Sequence, residues 1–560
     1  MSYVIGIDTG GTYTDAVLLD SSKQGEARVE RKAKAFTTHD ELEKGIRNSI
    51  ANLRLSDSER KQIKKVVLST TLATNAIVEG KISKVGLILI GEAPRGKLAS
   101  EFVNQISGSV NIKGSVLLHI TPGEVAQAVK ELMPHVDSIA VSGMASVRNP
   151  VLEQSVRKII NNMCELPVVC GHELVSNLGF LERTNTAIIN AGLLPIINNF
   201  VKAIKAVLKE NNISAPVFVV KGDGSIIKID VIKKTPVDTV LSGPASSIIG
   251  AINLTGLDDA IVADMGGTTT DTGIVRKKRV ELSLEGALVG SWKIRIKSAK
   301  LYTFGLGGDS DIKLIDGAIK VGPERVLPAC RGGQDTVTPT DILHYTEEFV
   351  EWDKERAAAS IEKQASKAGL HTDEYVSRVK DAVADKIYDN VSEYGISELP
   401  IVAIGAPAES WYHIAREKYA FKLVVPRHYE VANAVGAATA GIHAEVEAII
   451  RPGEQGFGYL VHTKIGRYSF KEKEKALLKA IEVTRECAEK IITDQNLEIA
   501  SVSCMCEDIY NSRGQLICEQ IDIQSDGEIN LNKVVNPGKY LETRIKIMAT
   551  GKDLFYQAAN

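Results

Sequence analysis

The stretch Val4–Asp15 reads VIGIDTGGTYTD, and far downstream Ile261–Asp271 reads IVADMGGTTTD. Placing Asp8 over Asp264 without gaps superposes Gly10 on Gly266, Gly11 on Gly267, Thr12 on Thr268, Thr14 on Thr270 and Asp15 on Asp271. Only Thr9/Met265 and Tyr13/Thr269 differ between Asp8 and Asp15. Each copy follows one apolar run and precedes another, the pattern of a hairpin around a Gly/Thr/Asp turn. One duplication of this density, with no array of repeats, predicts two similar lobes carrying one hairpin each.

The composition of the turns suggests their chemistry. Glycines allow positive φ and let backbone N–H groups approach a ligand without an intervening Cβ. Threonine hydroxyls add donors, and successive turn amides form a concave anion site. An aspartate at the end of the preceding strand supplies a hard oxygen for Mg²⁺. Two facing hairpins would hold a phosphate chain from both sides, with Asp8 and Asp264 beside the metal.

The rest of the chain bounds this reading. Its 560 residues exceed one hydrophobic core and predict three or four units. Hydrophobic content of 44% and charged content of 24% are ordinary globular values. A net charge of -3 offers no basic footprint for nucleic acid. The first strand starts too early to leave room for a signal peptide. The uncharged run Thr184–Val201 contains several Asn and Pro195, and reads as buried helix or loop, not a membrane span. Seven cysteines, an odd number, suggest reduced thiols and a cytoplasmic setting.

Short apolar runs at Tyr3–Ile7, Ala16–Leu19, Val66–Leu68, Val85–Ile90, Ile139–Val141, Val217–Val220 and Ile261–Ala263 read as strands. Helical stretches alternate with them, which predicts α/β layers. Thr38 and Glu41 have capping-box spacing before the amphipathic run Leu42, Ile46, Ile50, Leu53. Residues Thr346 to Tyr394 read as long helices, and a further helix is expected at about Glu472 to Ile492, followed by strands around the turn NSRG. The expected units are residues 1–196, 197–445 and a small C-terminal α+β unit, 446–560.

The two hairpins resemble the phosphate motifs of the superfamily of actin, sugar kinases and heat-shock chaperone ATPases. More specifically, the chain resembles the hydantoinase A/oxoprolinase family. Further matches are STTLATNAIVEGK (Ser69–Lys81), ERTNTAIINAGLLP (Glu182–Pro195), LSGPASSIIGA (Leu241–Ala251), FGLGGDSDI (Phe304–Ile312) and VGPERVLPACRGGQDTVTPTD (Val321–Asp341). The resemblance runs in order from Val4 to Gly441 and implies two actin-like ATPase lobes around a nucleotide cleft. It also implies ATP and Mg²⁺ as cofactors, and ATP-driven activation of unreactive carbonyls in hydantoins, 5-oxoproline, lactams or ketones. Phosphorylating an amide or enol oxygen creates a leaving group.

By motif position the resemblance implies that Gly10, Gly11, Thr12 and Thr14 cradle phosphates from one lobe, and Gly266, Gly267, Thr268 and Thr269 from the other. Asp8 and Asp264 would hold Mg²⁺ or orient the attacking group, while Asp15 and Asp271 brace the hairpins. Gly305, Gly307 and Gly308 would let the backbone pass near the nucleotide, with Ser310 as a donor. Asp309 departs from the family's run of three glycines and requires a metal or a basic partner. Gly405, in AIGAPAES (Ala403–Ser410), falls where the adenosine loop belongs, with Ala406 and Pro407 replacing glycines. Asn75 either faces the cleft or caps a helix, and Arg183 either contacts substrate or makes a surface ion pair.

Other motifs read as structural. GEAPRGKL (Gly91–Leu98) lacks the Ser or Thr that a P-loop needs after Lys97. The ten histidines form no zinc-hydrolase pattern, and Cys504, Cys506 and Cys518 read as structural thiols. Three functions follow: an ATP-dependent cyclic-amide hydrolase component, the ATPase subunit of a ketone carboxylase, or a nucleotide-switched binding module. A B-type partner subunit and a homo- or hetero-oligomer are expected, without nucleic acid or membrane.

Overall fold

The computed structural model describes residues 2–37, 42–175, 178–283, 285–392, 394, 398–453, 458–512, 515–523, 529–530 and 539–552. The expected capping box at 38 and 41 lies outside these residues, as does part of the NSRG turn.

Two sheets repeat one plan. In the first, the hairpin Tyr3–Thr9/Tyr13–Asp20 is antiparallel, and Tyr3–Thr9 then pairs in parallel with Ile63–Thr70 and through it with Val217–Val220. In the second, the hairpin Ala260–Met265/Thr270–Arg276 is antiparallel, and Ala260–Met265 pairs in parallel with Ile401–Ile404, which pairs with Leu423–Val424. The register matches too: Asp8 faces Asp15 in one hairpin, and Asp264 faces Asp271 in the other. The duplication read from the sequence is therefore a duplication of topology.

The hairpin strands are apolar at consecutive positions because both faces of each sheet are covered. Ile5, Ile7, Ala16 and Leu18 pack outward with the helices Leu42–Asn52 and Phe180–Glu210. Val4, Val17 and Leu19 point the other way, into a cluster shared with Ala260, Val262, Val402 and Ile404 of the second sheet. Burying each such Ile, Leu or Val contributes about 1.5–3 kcal/mol. The shared layer holds the two lobes together.

Two helices, Ser242–Thr255 and Ala432–Thr439, fill that layer. They cross so closely that a Cβ on Gly250 would stand 1.8 Å from the Ala432 carbonyl oxygen, and one on Gly436 would stand 1.8 Å from that of Ser246. The contact is reciprocal, as an internal two-fold relation requires. Gly6, on the first hairpin, is equally tight, 2.0 Å from the Ala434 carbonyl oxygen.

The division expected at residue 196 falls inside a continuous helix, Phe180–Glu210, and the first sheet recruits Val217–Val220 and Ile226–Lys228 beyond it. Pro195 did not end this helix, although sequence rules disfavour it there. The helix is the only one among the described residues long and apolar enough to cross a membrane, and 67% of its apolar window is buried. The first unit also carries a four-stranded parallel sheet, ordered Val168–Cys170, Ser138–Gly143, Val85–Ile90, Phe102–Ile106. At the C-terminal end, helix Lys473–Thr493 packs on a sheet whose central strands are His443–Pro452, Lys539–Gly551 and Ile499–Ser512.

Candidate functional site: a cleft between two hairpins

Both hairpin turns close in the same way. Gly10 N–H donates to the Tyr13 carbonyl at 3.0 Å, and Gly266 N–H to the Thr269 carbonyl at 2.9 Å. Neither these glycines nor Gly11 and Gly267 take positive φ, contrary to one of the reasons expected for glycine here. Room is the operative reason. A Cβ on Gly11 would meet nothing within 4 Å, so its backbone faces open space, and one on Gly267 would stand 3.2 Å from an Asp309 carboxylate oxygen.

The turns border one cavity of about 220 Å³, lined by Asp8, Gly10, Gly11, Thr12, Asp264, Gly266, Gly267 and Gly405 among others. Asp8 is only 3% exposed, and its Oδ1 is buried with no hydrogen-bond partner. Burial pushes the Asp8 carboxyl up to about 7, opposed by the nearby Ser69 hydroxyl, and the charges of Asp15 and Asp264 add to the rise. Burial likewise raises Asp264 to about 7, with Asp271 and Asp15 contributing. The carboxyl of buried Asp8 and that of half-buried Asp264, each raised chiefly by desolvation and further by a charge from the other lobe, share a lining whose cation is Lys34. The orphaned Asp8 oxygen and the all-oxygen donor set fit a hard divalent cation such as Mg²⁺.

Each carboxylate is held by the helix pair in a crossed pattern. Asn433, on Ala432–Thr439, donates to Asp8 Oδ2 at 2.7 Å. Ser247, on Ser242–Thr255, donates to Asp264 Oδ2 at 2.6 Å. Ser247 and Asn433 stand at the same offset as Ser246 and Ala432, so they are equivalent positions of the crossing helices. The helix that follows the first sheet thus holds the second hairpin's carboxylate, and the helix that follows the second sheet holds the first's.

Several predicted residues brace the hairpins from outside the cavity lining. Thr14 Oγ1 bonds Thr37 Oγ1 at 3.0 Å within the lobe, and its counterpart Thr270 donates to the Leu306 carbonyl at 2.7 Å. Gly307 packs on the second turn, where a Cβ would stand 2.5 Å from Gly267 backbone atoms. Gly308 N–H donates to the Gly266 carbonyl at 3.0 Å and Asp309 N–H to that of Gly267 at 2.6 Å. Ser310 Oγ accepts from Gly307 N–H at 2.8 Å, and Gly305 packs against Pro323. Asp309 has the basic partners it requires, Arg325 at 3.1 Å and Arg331 at 3.6 Å.

Gly405 has φ +93°, and a Cβ there would stand 2.2 Å from the Met265 carbonyl oxygen and 2.8 Å from Asp264 Oδ1. Only glycine fits this position. Asp15 is paired with Lys34 at 3.7 Å, and burial nevertheless raises its carboxyl to about 6. Asp271 accepts from Thr303 Oγ1 at 2.5 Å.

A second cavity of about 430 Å³ lies on the far side of the second turn, lined by Thr269, Asp271, Thr303, Thr71, Thr74 and Lys300 among others. Thr268 is exposed at the turn's tip. Asn75 lies on the helix Leu72–Val78 and donates to Thr71 Oγ1 at 3.3 Å, so it supports the cavity wall from within its own helix. Arg183 corrects both of its expected roles. It is fully buried in Phe180–Glu210, outside the cleft lining, and donates to the carbonyls of Gly143 at 2.5 Å and Met144 at 2.7 Å.

With this geometry in hand, sequence profiles of the hydantoinase/oxoprolinase N-terminal region and of hydantoinase/oxoprolinase match residues 4–164 and 183–446. The chain belongs to the hydantoinase/oxoprolinase family. Among its relatives, the caprolactamase subunit alpha of Pseudomonas jessenii is 27% identical over 61% of this chain and 54% of that protein. The acetophenone carboxylase gamma subunit of Aromatoleum aromaticum is 26% identical over 60% of this chain and 52% of its own length. The alignments thus span about half the length of these relatives. The solved ATP-dependent caprolactamase of Pseudomonas jessenii superposes with a TM-score of 0.77 at 20% identity, over 99% of this chain and 88% of that one. Nucleotide-free acetone carboxylase gives 0.74 at 19%, over 99% and 89%. These two likenesses establish the fold of this family member along nearly its whole length.

Asn433, Ser247 and Lys34 were missed by sequence reasoning. Ser247 sits inside a stretch that already matched the family, so a signal existed. Asn433 lies in a run of small residues, VANAVGAATAG, whose purpose is legible only when the helices cross.

Proposed function

We propose that the cleft binds Mg-ATP and that the chain is the ATP-hydrolysing component of an enzyme that activates the carbonyl of a cyclic amide, of hydantoin, 5-oxoproline or lactam type, for ring opening. One observation carries the reading: two equivalent turns and one carboxylate from each hairpin, Asp8 and Asp264, line a single cavity. The amides would bind the phosphates. Asp8 and Asp264 would hold Mg²⁺, which when bound offsets their charge and that of the phosphates.

The 430 Å³ cavity suits the carbonyl substrate. Thr269 and Asp271 of the second hairpin line it, while Gly266 and Gly267 of the same hairpin line the cleft, so the two cavities flank one turn. Asp271, Thr303 and Lys300 would orient the substrate. The ring-opening step is assigned to a B-type partner subunit, as the family resemblance suggests, and the chain is assigned to the cytoplasm.

The test is to incubate the chain with Mg-ATP and a panel of hydantoins, 5-oxoproline and lactams, following phosphate and ring-opened product together. Slow phosphate release by the chain alone, raised and coupled to product by a B-type subunit, is the expected result. Stimulation only by a ketone with bicarbonate would transfer the assignment to a carboxylase, the activity named in the acetophenone carboxylase relative. Nucleotide-dependent partner binding without turnover would replace both with a switch.

A further inference from the structure

A cavity of about 150 Å³ lies where the four-stranded parallel sheet's unit meets the C-terminal sheet. Its walls come from the segment after strand Ser138–Gly143, the short helix Gly171–Leu174, and strands His443–Pro452 and Tyr459–His462. None of its lining residues belongs to the cleft.

Arg148 lines this cavity and is only 6% exposed. Among the described residues its guanidinium has neither a hydrogen-bond acceptor nor a carboxylate within ion-pair distance, and its Nε is fully shielded from solvent. A buried charge normally has a partner, because leaving it uncompensated costs several kcal/mol. The carboxylates nearby are engaged elsewhere, Glu447 of the lining with Lys297 at 3.9 Å. Glu542, the nearest influence of opposite sign, already accepts from Arg451 at 2.9 and 2.6 Å and from Arg544 at 2.9 Å. Arg467 adds another cation, whose Nη1 donates to the Gly114 carbonyl at 3.0 Å. At the rim, Glu445 is paired with Lys297 at 2.5 Å and Lys546 at 2.8 Å, and Glu173 with Arg157.

Other features of the pocket suit an anionic ligand. Burial and the repulsion of Arg451 hold the Arg148 guanidinium below the usual arginine range, at about 10. Burial and Arg148 hold His462 down at about 4, so that imidazole is neutral and adds no counter-charge. His172, also in the lining, has its Nδ1 fixed 2.5 Å from the buried Glu153 carboxylate, which leaves Nε2 for a ligand.

We propose that this cavity is a binding site for a small carboxylate-type monoanion, with Arg148 as its counter-charge and forked donor. A guanidinium pairs with a planar carboxylate through two parallel N–H···O bonds, a match suited to one unpaired arginine. A phosphate dianion would keep an uncompensated charge beside the rim carboxylates. The site also has a structural role to play. The polar contacts His462 Nδ1 with the Arg148 carbonyl, at 3.4 Å, and Arg467 with Gly114 already join the two units here, and an anion on Arg148 would add a third.

The experiment titrates the full chain with formate, acetate and inorganic phosphate at constant ionic strength, by calorimetry and by thermal melting. Saturable binding of formate or acetate with a rise in melting temperature is expected. Arg148→Met should weaken that binding at least tenfold and Arg148→Lys severalfold, with Mg-ATP affinity unchanged in both. Without anion, Arg148→Met should melt no lower than the parent, since it removes an unpaired buried charge. The proposal is overturned if neither carboxylate saturates the parent protein, if phosphate alone does, if Arg148→Met binds as tightly, or if that variant melts far lower because the guanidinium has a structural partner. The titration of the unaltered chain decides the matter even where a variant folds poorly.

Discussion

Asn433 donates to Asp8 at 2.7 Å across 425 positions of the chain. It fixes one carboxylate oxygen and leaves the other, Oδ1, buried without a partner. Asn433→Ala should therefore weaken Mg-dependent nucleotide binding or slow turnover about tenfold, close to 1.4 kcal/mol. Asp8→Asn and Asp264→Asn should each cost at least as much. Calorimetry with Mg-ATP and steady-state phosphate release would check this, and full activity in all three variants would remove the cleft from consideration.

The buried carboxyls predict an unusual pH dependence. Asp8 and Asp264 have folded-state values of about 7 against 3.8 for an ordinary aspartate. A raised value means that the folded state favours the protonated form. Their stabilising effect is complete below about 3.8 and is lost as pH rises through about 7. The metal-free protein should lose stability between pH 4 and 7, and saturating Mg-ATP should flatten that slope. Denaturant midpoints in EDTA give the measurement. A flat metal-free profile would contradict the desolvation that raises these two carboxyls.

Gly436→Ala should be severely destabilising, because its Cβ would stand 1.8 Å from a backbone oxygen that cannot move alone. Overpacking of this kind costs about 3 kcal/mol or more, a fall in melting temperature of roughly 6 °C or more. Gly250→Ala should behave alike. A variant that melts with the parent would disprove the close crossing.

Asp309 sits beside the Gly266–Thr269 turn, proposed above to bind phosphate, and Arg325 and Arg331 offset its charge. Arg325→Ala should weaken ATP binding severalfold, and adding Asp309→Asn should restore it. The rescue separates charge from folding: an Arg325→Ala defect that Asp309→Asn leaves unchanged would assign the arginine a different task.

Lys97→Ala should leave ATP affinity within about twofold of the parent. Its ammonium lies 5.1 Å from the Trp292 ring centroid, and its carbonyl accepts from Asn185 at 3.0 Å. A large loss of affinity in a folded variant would restore the P-loop reading of Gly91–Leu98.

The sequence made the lobes legible because the hairpins repeat in composition, spacing and flanking hydrophobicity. It also showed that Asp309 needed a cation, although not which one. The limits of that reading are physical. Thr14 matched a motif, but strand alternation turns its hydroxyl into the lobe. Arg183 read as a substrate contact or a surface ion pair because its acceptors, two carbonyls at the end of Ser138–Gly143, come together only in the fold. Asn433 and Ser247 are ordinary residues until two helices cross.

That crossing has a mechanical meaning. Ser247 and Asn433 ride on rigid helices locked at two backbone contacts, and each grips the carboxylate of the opposite hairpin. Turning one lobe against the other would drag both grips at once, like a pair of scissors whose blades share a rivet. Any shift of one helix against the other would therefore bear on both acids together.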